Sequence, residues 1–238
     1  MPIVMLLPGL MAGLVQGLTG FGSGIILMIF LPGLLPISQG AGVSTLTMAA
    51  ANLMMVWRYR KSIKWGRLII PFIIYSTVAT LSVHLGLVLD THILRMLLGG
   101  LLIALSLYFT LYKSASAKRY PLFIAGIFMI ISGFFNGLFG IGGPLMALYF
   151  LTLARTKEEY LASIQTFFML DTIYVSTLRF ATHVLSFGDL KFVLFGMIGS
   201  LVGTAIANRL ITRMDTDRVK ELVYIFIGIS GLYYLIFH

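Results

Sequence analysis

The sequence predicts an all-α polytopic membrane protein built from two inverted-topology repeats, each a broken, re-entrant helical hairpin followed by three transmembrane helices. Three observations carry this. The chain of 238 residues is 59% hydrophobic and only 11% charged, with a mean hydropathy of +0.99, far outside the globular norm. Its apolar stretches run at about 3–35, 41–57, 68–89, 93–112, 121–154, 160–178, 190–208 and 219–237, and several reach the roughly 20 residues that cross a bilayer. A glycine-patterned segment in the first stretch recurs in the fifth.

The recurrence is specific. Aligned from Gly13 to Leu31 against Gly133 to Leu151, the copies share Gly13/Gly133, Gly17/Gly137, Leu18/Leu138, Gly20/Gly140, Gly22/Gly142, Phe30/Phe150 and Leu31/Leu151, which reads as a duplication. Further on, Val43-Ser44-Thr45 aligns with Ile164-Gln165-Thr166, Arg58 with Arg179, and Leu89-Asp90-Thr91 with Met214-Asp215-Thr216. The repeats are therefore expected at 1–112 and 121–238, joined by a cytoplasmic linker at 113–120. The first stretch has no basic leader segment and matches an internal copy, so it is expected to belong to the mature fold rather than to a signal peptide.

Charge sets the topology. If each apolar stretch crossed once, basic residues would divide ten inside and seven outside, a poor positive-inside pattern. If stretches 3–35 and 121–154 each enter and leave on one side, the division becomes fourteen and three. The halves then insert in opposite orientations, with a site expected where they meet. A continuous helix over about 33 residues would measure roughly 50 Å, so each of these stretches needs a break, and the glycines supply it. One long tilted helix per stretch is the competing arrangement.

Composition also excludes chemistry. Without cysteine there is no disulfide or thiolate metal site, and His84, His92, His183 and His238 show no metal-binding spacing. No cofactor is expected. The net charge of +9 reports membrane topology rather than nucleic-acid binding.

The candidate site is the pair Gly20-Phe21-Gly22-Ser23-Gly24 and Gly140-Ile141-Gly142-Gly143-Pro144. Glycines let backbone N–H groups approach a bound group, Pro144 suits the first turn of a new helix, and helix N-termini at membrane depth attract anions. Gln16, Thr19, Ser23 and Asn136 add polar groups. The competing reading is that the glycines only let helices pack closely. A second layer comprises Ser44, Thr45, Thr47 and Asn52, with Gln165, Thr166, Asp171 and Thr172. Asp171 is the only acidic residue well inside a predicted span. It reads either as a proton carrier or as a partner of Arg179, directly or through water. Arg58 is expected to end its helix at the cytoplasmic surface.

At these glycine segments, each opening one half, the chain resembles the sulfite exporter TauE/SafE family, also called the 4-toluene sulfonate uptake permease group. The resemblance covers essentially the whole chain. It implies a multi-pass inner-membrane protein, surrounded by lipid, that moves small anions such as sulfite, sulfoacetate or other organosulfonates. The residues it implicates here are Gly20, Gly22, Ser23, Gly140, Gly142 and Gly143, with Gln165 and Thr166 as polar support. The first copy has Ser23-Gly24 where the second has Gly143-Pro144, so the two sides need not contribute equally. The expectation is a secondary anion transporter working by alternating access, not an enzyme, with proton coupling and a homodimer left open. The rivals are a membrane assembly subunit and, more weakly, an intramembrane enzyme using Ser23 and a histidine.

Overall fold

The computed structural model describes residues 2–111, 121–210 and 216–236. The linker 113–120, Arg213, Met214-Asp215 and His238 lie outside the described residues. Every regular element is helical among those described: α1 Leu6–Thr19, α2 Ser23–Phe30, α3 Ile37–Thr47, α4 Ala49–Tyr59, α5 Ile69–Val88, α6 Thr91–Leu111, α7 Leu122–Phe139, α8 Gly143–Leu153, α9 Lys157–Ala181, α10 Leu190–Leu210 and α11 Thr216–Ile236, with short 3-10 turns at several helix ends. Among the described residues, five segments are long and apolar enough to cross a membrane: Pro2–Thr19, Ile69–Val88, Thr91–Leu111, Lys157–Ala181 and Phe187–Ala207. The protein is a polytopic all-α membrane protein.

Both glycine-bearing stretches are interrupted. Gly20 (φ +84°) closes α1 and Gly22 (φ +90°) precedes α2, both in the left-handed region that L-residues with a Cβ avoid. Gly140 (φ +67°) closes α7 in the same way. Pro144 occupies the first turn of α8, where its missing N–H removes no helical hydrogen bond. Each short helix packs back against the longer one before it, α2 on α1 and α8 on α7.

Apolar side chains give little drive for helix association within lipid, so close backbone approach and packing take its place. α1 runs parallel to α10, with Gly9 opposite Gly196, Gly13 opposite Ser200 and Gly17 opposite Ala207. A Cβ on Gly13 would overlap the Ser200 carbonyl, and one on Gly203 would overlap the Leu10 carbonyl. α7 runs parallel to α5 in the same manner, with Gly133 against Tyr75 and Gly137 against Ala79 and Ser82. α6 and α11 are antiparallel, pairing Gly99 with Gly231 and Ser106 with Gly228.

The expected single helix across 41–57 is instead two, interrupted at Met48. The Ser200 hydroxyl donates to the Thr47 carbonyl at 3.2 Å, engaging a backbone acceptor at the interruption. α9, where the sequence alignment places the corresponding segment, is continuous over 25 residues. α4 ends with Arg58 exposed in its last turn. Beside it, the loop to α5 is held to the second half by Arg67, whose Nη1 donates to the Leu153 carbonyl at 2.7 Å and lies 3.7 Å from Glu159.

Candidate anion site at the two helix breaks

The two breaks touch. A Cβ built on Gly24 would lie 2.5 Å from the Gly140 carbonyl oxygen, and one on Gly143 would lie 3.4 Å from Phe21 Cβ and 3.8 Å from the Gly22 nitrogen. Only glycine allows the first approach. The start of α2 thus meets the end of α7, and the start of α8 meets the first break. Neither α2 nor α8 has a side-chain cap on its N-terminus, so first-turn N–H groups in both halves are left without side-chain acceptors.

A polar cavity of about 60 Å³ lies between them. Gly22, Ser23 and Gly24 line it from one break, and Gly140, Gly142, Gly143 and Pro144 from the other. Ser44, Thr45 and Asn52 close it from α3 and α4, Asp171 and Thr172 from α9, and Tyr75 from α5. The space is large enough for a small ligand and too small for an extended one.

α9 holds both breaks. Gln165 is fully buried and its Nε2 donates to the Gly20 carbonyl at 2.9 Å. Its Oε1 accepts from Gln16 Nε2 at 3.2 Å, and Gln16 also donates to Asn52 Oδ1 at 2.6 Å. Four turns later, Arg179 is 1% exposed and its Nη2 donates to the Asn136 and Gly137 carbonyls at 3.1 and 2.9 Å, while Nη1 donates to Thr45 Oγ1 at 3.2 Å. Those carbonyls belong to the last turn of α7, the negative end of its dipole, where a cation is favoured.

Asp171 and Arg179 do not pair directly: no ion pair within 4 Å joins them among the described residues. Eight residues along a helix separate them by about 12 Å. Asn136 stands between, its Nδ2 donating to Asp171 Oδ1 at 2.9 Å while its backbone carbonyl accepts from Arg179. Of the pairings expected, direct or through water, the direct one is not formed, and Asn136 links the two residues.

Among the residues singled out by sequence, Gly22, Ser23, Thr45, Gly140, Gly142, Gly143 and Asp171 border the cavity, whereas Gly20, Gln165, Thr166 and Arg179 lie behind its wall. The Thr166 hydroxyl is buried with no hydrogen-bond partner among the described residues. Sequence reasoning missed Tyr75, a fully buried side chain that lines the cavity. Nothing in its apolar surroundings distinguishes it from the other tyrosines. His84, His92 and His183 stand elsewhere, His84 bonding the Thr80 carbonyl of its own helix at 2.8 Å. No cluster of His, Asp and Glu suited to a metal occurs among the described residues.

The cavity is walled by two facing helix breaks within a bundle that includes helices long and apolar enough to cross a membrane. The chain belongs to the sulfite exporter TauE/SafE family, whose model matches residues 5–234, and the family implies transport of sulfur-containing anions. No curated protein and no solved structure matches the chain.

Proposed function

We propose that the protein is a secondary transporter that carries sulfite, or a small organosulfonate, across the cytoplasmic membrane by alternating access. The observation that carries this is the contact of Gly24 with Gly140 beside a cavity lined by both breaks. Uncapped helix N-termini from both halves offer N–H donors and positive dipole ends to an anion. The cavity volume suits a small oxyanion such as sulfite. The organosulfonate option draws support from a second, apolar cavity of about 240 Å³, bounded by Leu101, Leu105, Tyr108 and Phe135, which shares Ile141, Gly142 and Pro144 with the first. A sulfonate head in the polar cavity would direct its organic tail there.

The halves 1–112 and 121–238, joined through 113–120, would rock against one another. Helix register supports their inversion: α1 is parallel to α10, α7 to α5, and α6 is antiparallel to α11. With consecutive spans alternating in direction, corresponding helices of the halves run oppositely. Asp171 on the cavity wall is the coupling residue of this reading, taking up a proton as the anion binds, because an anion beside a buried carboxylate is otherwise repelled.

Close packing by glycine, the basis of the assembly-subunit reading, is real at Gly9, Gly13, Gly133 and Gly137. It does not account for the breaks, where φ is positive at Gly20, Gly22 and Gly140. The test is uptake of radiolabelled sulfite, sulfoacetate and sulfate into proteoliposomes with and without a pH gradient. Saturable flux of a sulfur oxyanion supports transport, and its absence from folded protein returns the glycines to packing alone.

A further inference from the structure

We propose that Tyr75 is an anion-binding donor of this site, its hydroxyl bonding an oxygen of the bound anion, and that Gly142 is glycine to make room for that hydroxyl. The proposal rests on the anion-transport reading and deepens it. Three independent observations meet at this residue.

The first concerns the second break. Unlike Gly20, Gly22 and Gly140, Gly142 has an ordinary backbone conformation, φ −110°, so no left-handed geometry demands glycine. What demands it is space. A Cβ there would overlap the Tyr75 hydroxyl oxygen and stand 2.9 Å from Cζ and 3.0 Å from Asn136 Cβ. In the first copy, a Cβ on Gly22 meets only Val15 Cγ1, at 3.3 Å. The paired glycines therefore serve different purposes: one bends the chain, and the other admits a side chain from α5.

The second is the state of the hydroxyl. Tyr75 is fully buried and its oxygen has no hydrogen-bond partner among the described residues. It lines the cavity together with Ser44, whose buried Oγ is likewise unpartnered. Buried hydroxyls are costly unless bonded, and an acceptor-only oxyanion would supply the acceptor that the Tyr75 hydroxyl lacks. The third is rigidity: the ring packs edge-on against Phe167 at a centroid distance of 4.9 Å, and the Tyr75 backbone carbonyl faces Gly133. The hydroxyl is fixed before any ligand arrives.

A site built around a hydrogen bond loses affinity when the donor is removed. The test is calorimetric binding of sulfite to detergent-purified wild type, Tyr75→Phe, Gly142→Ala and the double variant, each checked for monodispersity. The expected result is a roughly ten- to hundredfold loss of sulfite affinity in Tyr75→Phe. Gly142→Ala should produce a similar loss, and the double variant should be no worse than the poorer single one, since both changes remove one interaction. Wild-type sulfite affinity in Tyr75→Phe, or losses that multiply in the double variant, overturns the proposal while leaving the transport reading in place. No oxyanion binding by folded wild type overturns both.

Discussion

Gln165 and Arg179 lie on one face of α9, fourteen residues apart, and each donates to backbone carbonyls at a different helix break. At 1.5 Å per residue they are about 21 Å apart, so a single helix of the second half braces the interruptions in both. The neutral amide serves the first break and the cation the second, where two carbonyls of α7 converge. Arg179 thereby has a structural task, and Asp171, between the two braces, is left with a single bond to a side chain, from Asn136.

Arg179→Leu should therefore be among the more damaging single changes. It strips charged donors from two buried carbonyls, each such bond being worth about 1.5–3 kcal/mol. Thermal unfolding in detergent should show a marked fall in Tm, with Gln165→Ala, which costs about 1–2 kcal/mol, lowering it less. Equal, small effects would mean that α9 does not brace the breaks.

Asp171→Asn keeps the size of the side chain and removes its titration. Anion flux driven by a pH gradient should fall to the rate seen without one, while exchange of internal for external anion continues. An unchanged pH response would move coupling away from Asp171.

The glycines divide into two groups with opposite phenotypes. Gly13→Leu should prevent folding, because the added side chain would strike the α10 backbone at Ser200, and overpacking alone costs about 1–3 kcal/mol or more. Gly22→Ala meets little nearby and pays mainly the left-handed strain of about 1–2 kcal/mol. It should fold, as judged by size-exclusion profile, and lose flux.

The absence of native cysteine makes the topology directly testable with single-cysteine variants at exposed positions. Lys61→Cys and Lys157→Cys should react with an impermeant maleimide only from the cytoplasmic side, and His92→Cys and Phe187→Cys only from outside. Any other pattern contradicts inverted halves.

Much of this was legible in the sequence because it rests on residue types with few alternative uses. Glycines spaced at Gly20, Gly22 and Gly140 inside apolar sequence foretell a break, and Pro144 marks the restart of a helix. Gln165 and Asp171 stand out because polar groups are costly in lipid. What was not legible depends on packing between distant segments. The interruption at Met48 has no glycine or proline beside it and coincides with Ser200, far along the chain, bonding the Thr47 carbonyl. Arg179 reads by spacing as a partner for Asp171, yet its acceptors are carbonyls in the last turn of α7, one of which also takes the Gly140 N–H. Tyr75 lies in an ordinary apolar run, and only its seat over Gly142 gives it a role.

The most direct test of the central claim is saturable sulfite flux in proteoliposomes, comparing wild type with Gly22→Ala and Gly140→Ala at matched levels of folded protein. The account predicts transport by wild type and loss of at least about tenfold in each variant, since each distorts one wall of a single shared site. Wild-type flux retained in both folded variants would contradict it, because the anion would then pass without the geometry of the two breaks.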